Sequence, residues 1–347
     1  MSMGVPNPID TDGDGIPSQE ELQAYLNTPF EQRVASPDFE AMAEMYGFAS
    51  GYLSQTPALQ ELLDISLQRG MTDATMIKNF IANSDWGLRY ASTYTEADQL
   101  RKGAPEVWQA TVNRTVTEIK QRAQNMGADI SDAEALDYAE KFLLTTSGDK
   151  TSPNYEDFDE DWLDRVLSGS IDFSRTRTLN GVAFYDLSGT AETQAETLYK
   201  LAYDYGMDTS MSNTSFTGWF ENSVKRLAGR QTTTEDLDDE IVNNAISRFP
   251  GLQQQMARGL TLRGAADPYM KAISEILELD PNTLSFDDNL VQQVLNSVDG
   301  QGAFKPMSLY DAKLAARRDD RWQYTSTAKN EYTGLASTIL KDFGFLG

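Results

Sequence analysis

Residues 259–286 read GLTLRGAADPYMKAISEILELDPNTLSF, and residues 298–347 read VDGQGAFKPMSLYDAKLAARRDDRWQYTSTAKNEYTGLASTILKDFGFLG. These two runs decide the fold class. Met270, Ile273, Ile276 and Leu277 recur at three- and four-residue spacing, with Asp267-Pro268 as a helix start and Asp280-Pro281 as a stop. Ser285-x-x-Asp288 introduces a short helix carrying Leu290, Val291, Val294 and Leu295. Ser308-x-x-Asp311 introduces another, which runs into Arg317-Arg318-Asp319-Asp320-Arg321-Trp322. Alternating Arg and Asp mainly pair with each other, although such a cluster also suits an acidic partner or a phosphate. A last helix, 327–342, places Tyr332, Leu335, Ile339 and Phe343 on one side, and the chain continues as Gly344-Phe345-Leu346-Gly347. A chain end is ordinarily polar and frayed. Tyr332, Leu335, Ile339, Phe343, Phe345 and Leu346 therefore form either an assembly contact or an internal fold-back onto their own bundle.

Upstream the helical texture continues. Thr234 to Arg248 carries Leu237, Ile241, Val242, Ala245 and Ile246 on one face and stops at Phe249-Pro250-Gly251. A weak repeat relates Ala123-Gln-Asn-Met-Gly127-Ala-Asp129-Ile-Ser131 to Ala202-Tyr-Asp-Tyr-Gly206-Met-Asp208-Thr-Ser210. Each copy predicts a helix ended by a left-handed glycine, with Ser starting the next. The aromatic pairs Trp162-Leu163 and Trp219-Phe220 would sit on the partner helices. Between the copies, Ile171 to Leu187 alternates about Asn180-Gly181, the strongest short signal for a two-stranded hairpin. An isolated hairpin is marginal, so it must lean on a neighbour.

Further upstream, Pro105 opens a helix with Val107, Trp108, Val112, Val116, Ile119 and Ala123, ended by Gly127. Ser131-x-x-Glu134 is a capping box for the next helix. Residues 145–161, TTSGDKTSPNYEDFDED, read as an acidic linker. Its carboxylates Glu156, Asp157, Asp159, Glu160 and Asp161 suit either a cation or the N-terminal dipole of a helix 162–167. Ser36-Pro37, Thr56-Pro57 and Thr72 start three earlier helices, the first with Met42, Met45, Phe48, Ala49 and Leu53 on one face. Trp86, Tyr90 and Tyr94 form a four-spaced stripe, read as packing rather than a ligand platform. The fold class is thus all-α: about a dozen helices in multi-helix bundles, with one small β-hairpin.

The N-terminus carries a different signal. Asp10-Thr-Asp12-Gly-Asp14-Gly15-Ile16 leads to Glu21, matching the spacing of a calcium loop. Asp10, Asp12, Asp14 and Glu21 would bind Ca²⁺ through side chains and Ile16 through its carbonyl, with Gly15 allowing the sharp turn. Pro17 removes the backbone donor that a paired loop would use, and the prolines at 6 and 8 prevent an entering helix, so the site would be unpaired. Ser18-x-x-Glu21 is also a capping box that starts the helix 19–26 without any metal.

Composition bounds the chemistry. The 347-residue chain is long enough for two or three compact units. Its net charge of −24 repels phosphate backbones and argues against general nucleic-acid binding. It has no Cys and no His, which removes disulfides, thiolate chemistry and the usual zinc ligands. No signal peptide and no membrane span are expected, for want of any long apolar run.

The stretches FPGLQQQMARGLTLRGAADPYMKAISEILELDPNTLSF and PMSLYDAKLAARRDDRWQYTSTAKNEYTGLASTILKDFGF, behind the helix–Gly–Ser hairpins, resemble virion structural proteins of tailed bacteriophages, of the kind encoded near tail or tape-measure genes. The resemblance spans residues 100–347 and leaves out the DxDxDG loop. It implies a non-enzymatic virion component whose partners are other virion proteins and copies of itself, and it brings no catalytic residues. A virion-associated peptidoglycan-degrading enzyme, which needs only two carboxylates, and a calcium-dependent binding module are the alternatives. The expected organisation is an N-terminal arm with the loop (1–30), a helical subdomain (31–103), a helical hairpin unit (104–170), the β-hairpin (171–189), a second helical hairpin unit (190–258) and a C-terminal helical assembly domain (259–347).

Overall fold

The computed structural model describes residues 18–48, 52–71, 73–179, 182–280 and 283–342. Among them are eighteen α-helices and two two-stranded antiparallel sheets. The all-α expectation holds, with more and shorter helices than the dozen expected and with a second hairpin. The chain divides into two compact units, Met1–Ser170 and Ile171–Gly347.

In the first unit, α1 (Gln19–Leu26) starts at the expected capping box. Ser18 N–H donates to Glu21 Oε2 at 2.8 Å and Glu21 N–H donates to Ser18 Oγ at 3.3 Å. Helices α2 (Phe30–Val34), α3 (Pro37–Met45), α4 (Pro57–Gln68) and α5 (Ala74–Ala82) enclose a core of Phe39, Met42, Tyr46, Leu59, Leu63, Leu67 and Ile77. The single face expected from Met42 to Leu53 is broken. α3 stops at Met45, Gly47 turns left-handed at φ +84°, and Leu53 reaches the core from a short 3-10 turn. Asp73, rather than Thr72, caps α5, accepting from Thr75 N–H at 2.9 Å and Met76 N–H at 3.0 Å; Thr72 lies outside the described residues. Arg33 and Asp64 form a buried bidentate pair at 2.7–3.0 Å, and Arg33 also donates to the carbonyls of Leu26 and Thr28. This ties α2 and the turn before it to α4. A buried pair with its remaining donors satisfied registers elements more than it adds net stability.

α6 (Asp85–Arg89) and α7 (Ser92–Gly103) divide the aromatic stripe between them. Tyr90 is extended at the junction, yet Trp86, Tyr90 and Tyr94 still follow one another with centroids 5.3 and 5.7 Å apart. α8 (Pro105–Met126) and α9 (Asp132–Leu144) form the first repeated hairpin, with Gly127 at φ +92° and the Ser131–Glu134 box in place. The acidic stretch that follows is structured. Thr146 bridges to Asp157, Phe158 is buried against Trp162, and Asp159 caps α10 (Glu160–Gly169). Its carboxylates take separate partners: Glu156 pairs with Arg165, Asp157 accepts from Tyr155, and Glu160 lies 3.6 Å from Arg122.

In the second unit, β1 (Thr176–Leu179) pairs with β2 (Val182–Tyr185), Leu179 opposite Val182. That register leaves two residues for the turn, Asn180 and Gly181, which lie outside the described residues. The hairpin leans on α11 (Gly189–Asp204) and α12 (Thr214–Ala228): Phe184 packs on Tyr199 and Tyr185 stacks on Phe220. Gly206 repeats the left-handed corner at φ +75°. Ser210 does not start α12, however. Asn213 does, accepting from Ser215 and Phe216 N–H.

α13 (Thr234–Arg248) runs as expected, and α14 (Gln253–Met256) is a single turn. α15 (Leu262–Leu277) begins six residues before the expected start at Pro268. Thr261 caps it, and Pro268 lies inside it at the expense of the hydrogen bond its nitrogen would have donated to Gly264. Burial of Leu262, Ala265 and Ala266 offsets that loss. α16 (Asn289–Leu295) is capped by Asp288 itself rather than by Ser285. The second hairpin, β3 (Ser297–Val298) with β4 (Phe304–Lys305), follows. α17 (Leu309–Arg318) and α18 (Ser326–Asp342) close the described chain. The core of this unit gathers Phe249, Leu252, Leu262, Ile273, Val291, Val294, Leu295 and Ala312.

Candidate assembly surface

The second unit's last two helices present the candidate site. Ser308 caps α17, accepting from Asp311 N–H at 3.1 Å. Ala312 and Ala316 lie four apart and are fully buried. The other side of α17 exposes Tyr310 and Leu314, Leu309 is exposed at the first turn, and Tyr310 is 76% accessible. Nearby in the chain, Val298 and Phe304 are cross-strand partners in the second hairpin, and both are more than half exposed. Between α16, α17 and the start of the loop after β4 runs a groove of about 650 Å³, lined by Gln293, Lys305, Met307, Leu314 and Arg318 among others.

The arginine-rich junction is paired in part, as the alternating charges imply, while Arg317 and Arg318 stay exposed. Arg321 donates to Asp319 at 2.7 Å and to Asp288 at 2.5 Å, and these hydrogen bonds, Asp319 first, hold its pKa above the ordinary range. Arg317 lies 3.8 Å from Glu331.

α18 is anchored at its base. Glu278 follows α15 in a left-handed conformation, φ +52°. Its carboxylate accepts from Ser326 N–H at 2.7 Å, Thr327 N–H at 2.9 Å and Thr327 Oγ1 at 2.7 Å. A carboxylate at a helix N-terminus meets both unpaired amides and the positive end of the dipole. The hydrogen bonds, that of Thr327 hydroxyl first, lower the Glu278 pKa to about 2. Trp322 meets Tyr332 edge-on at 5.9 Å. Beyond this base the helix buries little: in the span 326–337, Ala328 alone is buried. Tyr332 is 54% and Leu335 58% accessible.

Of the expected contact residues, Tyr332 and Leu335 thus lie exposed on one helix. Ile339 falls within α18, with its side chain outside the described residues, where Phe343, Phe345 and Leu346 also lie. Asp10, Asp12, Asp14 and Ile16 are outside them too, and Glu21 stands in its capping box. Sequence reading missed Leu309, Tyr310 and Leu314. For Tyr310 and Leu314 the signal was present, since they fall opposite Ala312 and Ala316 on the α17 helical wheel, whereas Leu309 shares the alanine face and is exposed at the helix's first turn. No helix among the described residues is long and apolar enough to cross a membrane. No protein-family model, curated protein or solved structure matches this chain.

Proposed function

We propose that this chain is a non-enzymatic structural component of a tailed-bacteriophage virion, and that it contacts neighbouring proteins or copies of itself through α17 and α18. One observation carries the reading: α18 is a 17-residue helix whose span 326–337 buries only Ala328. A lone helix of this length is only marginally stable in water, and most helices in proteins are held by a packed apolar face. Tyr332 and Leu335 supply the start of such a face, and Tyr310 and Leu314 of α17 add apolar area in the same unit. A partner surface would complete the packing. The resemblance of residues 100–347 to virion proteins points to the same role, and the charge of −24 favours a basic or cation-bridged neighbour.

The test is a pair of charge insertions, Tyr310→Glu and Leu335→Glu. Both sites are exposed, so the isolated chain should keep its Tm to within about 1–2 °C. Incorporation into particles, read by mass spectrometry of purified virions, should fall at least tenfold. Unchanged incorporation of both variants would refute the surface assignment. Clearing of a bacterial cell-wall zymogram by the wild-type chain would replace the structural reading with a peptidoglycan-degrading one.

A further inference from the structure

Under the first hairpin of the second unit lies a cleft that plays no part in the proposed assembly surface. Its volume is about 170 Å³. The hairpin supplies Phe184 and Tyr185, α11 supplies Ala195 and Tyr199, α12 supplies Phe216 and Phe220, and Met211 closes it from the connecting loop. The rings brace one another: Phe184 meets Tyr199 at 4.7 Å, Tyr199 meets Phe216 at 6.1 Å, and Phe216 meets Phe220 at 5.4 Å.

The tyrosine hydroxyls of this wall are already committed. Tyr185 donates its hydroxyl proton to Glu221, and Tyr199 Oη accepts from Thr209 Oγ1 at 3.0 Å. At the rim, Arg177 lies 3.0 Å from Glu192 and 3.6 Å from Glu196, and Lys200, exposed to solvent, also lines the mouth, so two cations and two carboxylates balance there. Inside that rim, the side chains lining the space are aromatic, aliphatic and thioether. A guest bearing charge into it would lose hydration without gaining a partner. Enclosed apolar cavities of about 150 Å³ take a benzene-sized guest, and this cleft, open at its charged rim, has a similar volume.

We propose that this cleft binds one uncharged, single-ring aromatic group. The shared chemistry allows two sources, a free small molecule or a phenylalanine side chain carried on a peptide. The aromatic walls offer offset-stacked and edge-on contacts to such a ring, and Met211 offers a sulfur–aromatic contact.

Toluene and N-acetylphenylalanine methylamide are the two probes, applied to the full chain. Toluene at ten times its Kd should raise Tm by about 3–6 °C and give intermolecular NOEs to the Met211 methyl group. The methylamide binding more tightly than toluene supports the peptide-borne source, and the reverse order supports the free one. Ala195→Leu, which fills the cleft from α11, should abolish both the shift and the NOEs. A toluene shift that persists unchanged in Ala195→Leu overturns the assignment, as does biphenyl binding as tightly as toluene. Should Ala195→Leu fail to fold, the wild-type NOE experiment decides alone: no contact between toluene and Met211 at saturation overturns the proposal.

Discussion

Alanine at Gly206 tests the corner after α11, and Gly259 supplies its control in the same unit. Both residues are left-handed, at φ +75° and +88°. That conformation costs an L-residue about 1–2 kcal/mol at either position. The surroundings differ. A Cβ on Gly206 would stand 2.8 Å from Phe286 Cδ2 and 2.9 Å from Leu262 Cδ2, whereas one on Gly259 would meet nothing within 4 Å. Phe286 and Leu262 are 4% and 0% accessible, so neither side chain has solvent to move into. Overpacking of this kind costs about 1–3 kcal/mol, which brings Gly206→Ala to about 2–5 kcal/mol against about 1–2 for Gly259→Ala. For a unit of this size, Tm falls by about 2–4 °C per kcal/mol. Urea unfolding followed by tryptophan fluorescence reads the effect, since Trp219 and Trp322 both lie in this unit. Equal losses at the two glycines would refute the reasoning, because they would mean that Phe286 and Leu262 do not close the space beside Gly206.

Two further outcomes are expected. Glu278 has its pKa lowered from 4.5 to about 2 in the folded chain, so its hold on α18 is fully present above pH 4.5 and is lost as pH falls towards 2. The Thr327 amide shift should titrate across that window, and Glu278→Gln should flatten the titration; a wild-type midpoint near 4.5 would contradict the cap. At the N-terminus, Asp10, Asp12, Asp14, Glu21 and the Ile16 carbonyl are expected to bind one Ca²⁺ with Kd on the order of 10⁻⁴–10⁻³ M. Calorimetry that shows no difference between wild type and Asp12→Ala would leave the motif with capping alone.

Much of the fold was legible because local chemistry and packing agree. The Ser18, Ser131 and Ser308 caps, Pro57, Pro105, the Gly127 corner and the alternation that pairs 176–179 with 182–185 each act within a few residues, and the structure follows them. The misses have physical causes. Pro268 reads as a helix start because proline suits the first turn, but burial of Leu262 and Ala266 carries α15 past it. β3 and β4 have two residues each, too few to show a period. Ser210 and Ser285 have the right residue type, but Asn213 and Asp288 stand nearer the first helical turn and take the amides instead. The aromatic cleft draws on a hairpin, two helices and a loop, so no single window of sequence contains it. On α18, periodicity picks out Tyr332 and Leu335 but says nothing of whether the chain itself covers them.

The Glu278 clasp has a mechanical consequence. It grips only Ser326 and Thr327, at one end of α18. A helix of 17 residues is about 25 Å long. A rotation of about 10° at the gripped turn therefore carries the far end through about 4 Å, at the same 1.5 Å rise per residue. Such a swing would leave the buried Leu262, Ile273 and Val294 in place. Under the proposed role α18 would act as a lever hinged at its base, where Arg317–Glu331 and Trp322–Tyr332 add to the carboxylate's hold and would set how far it swings.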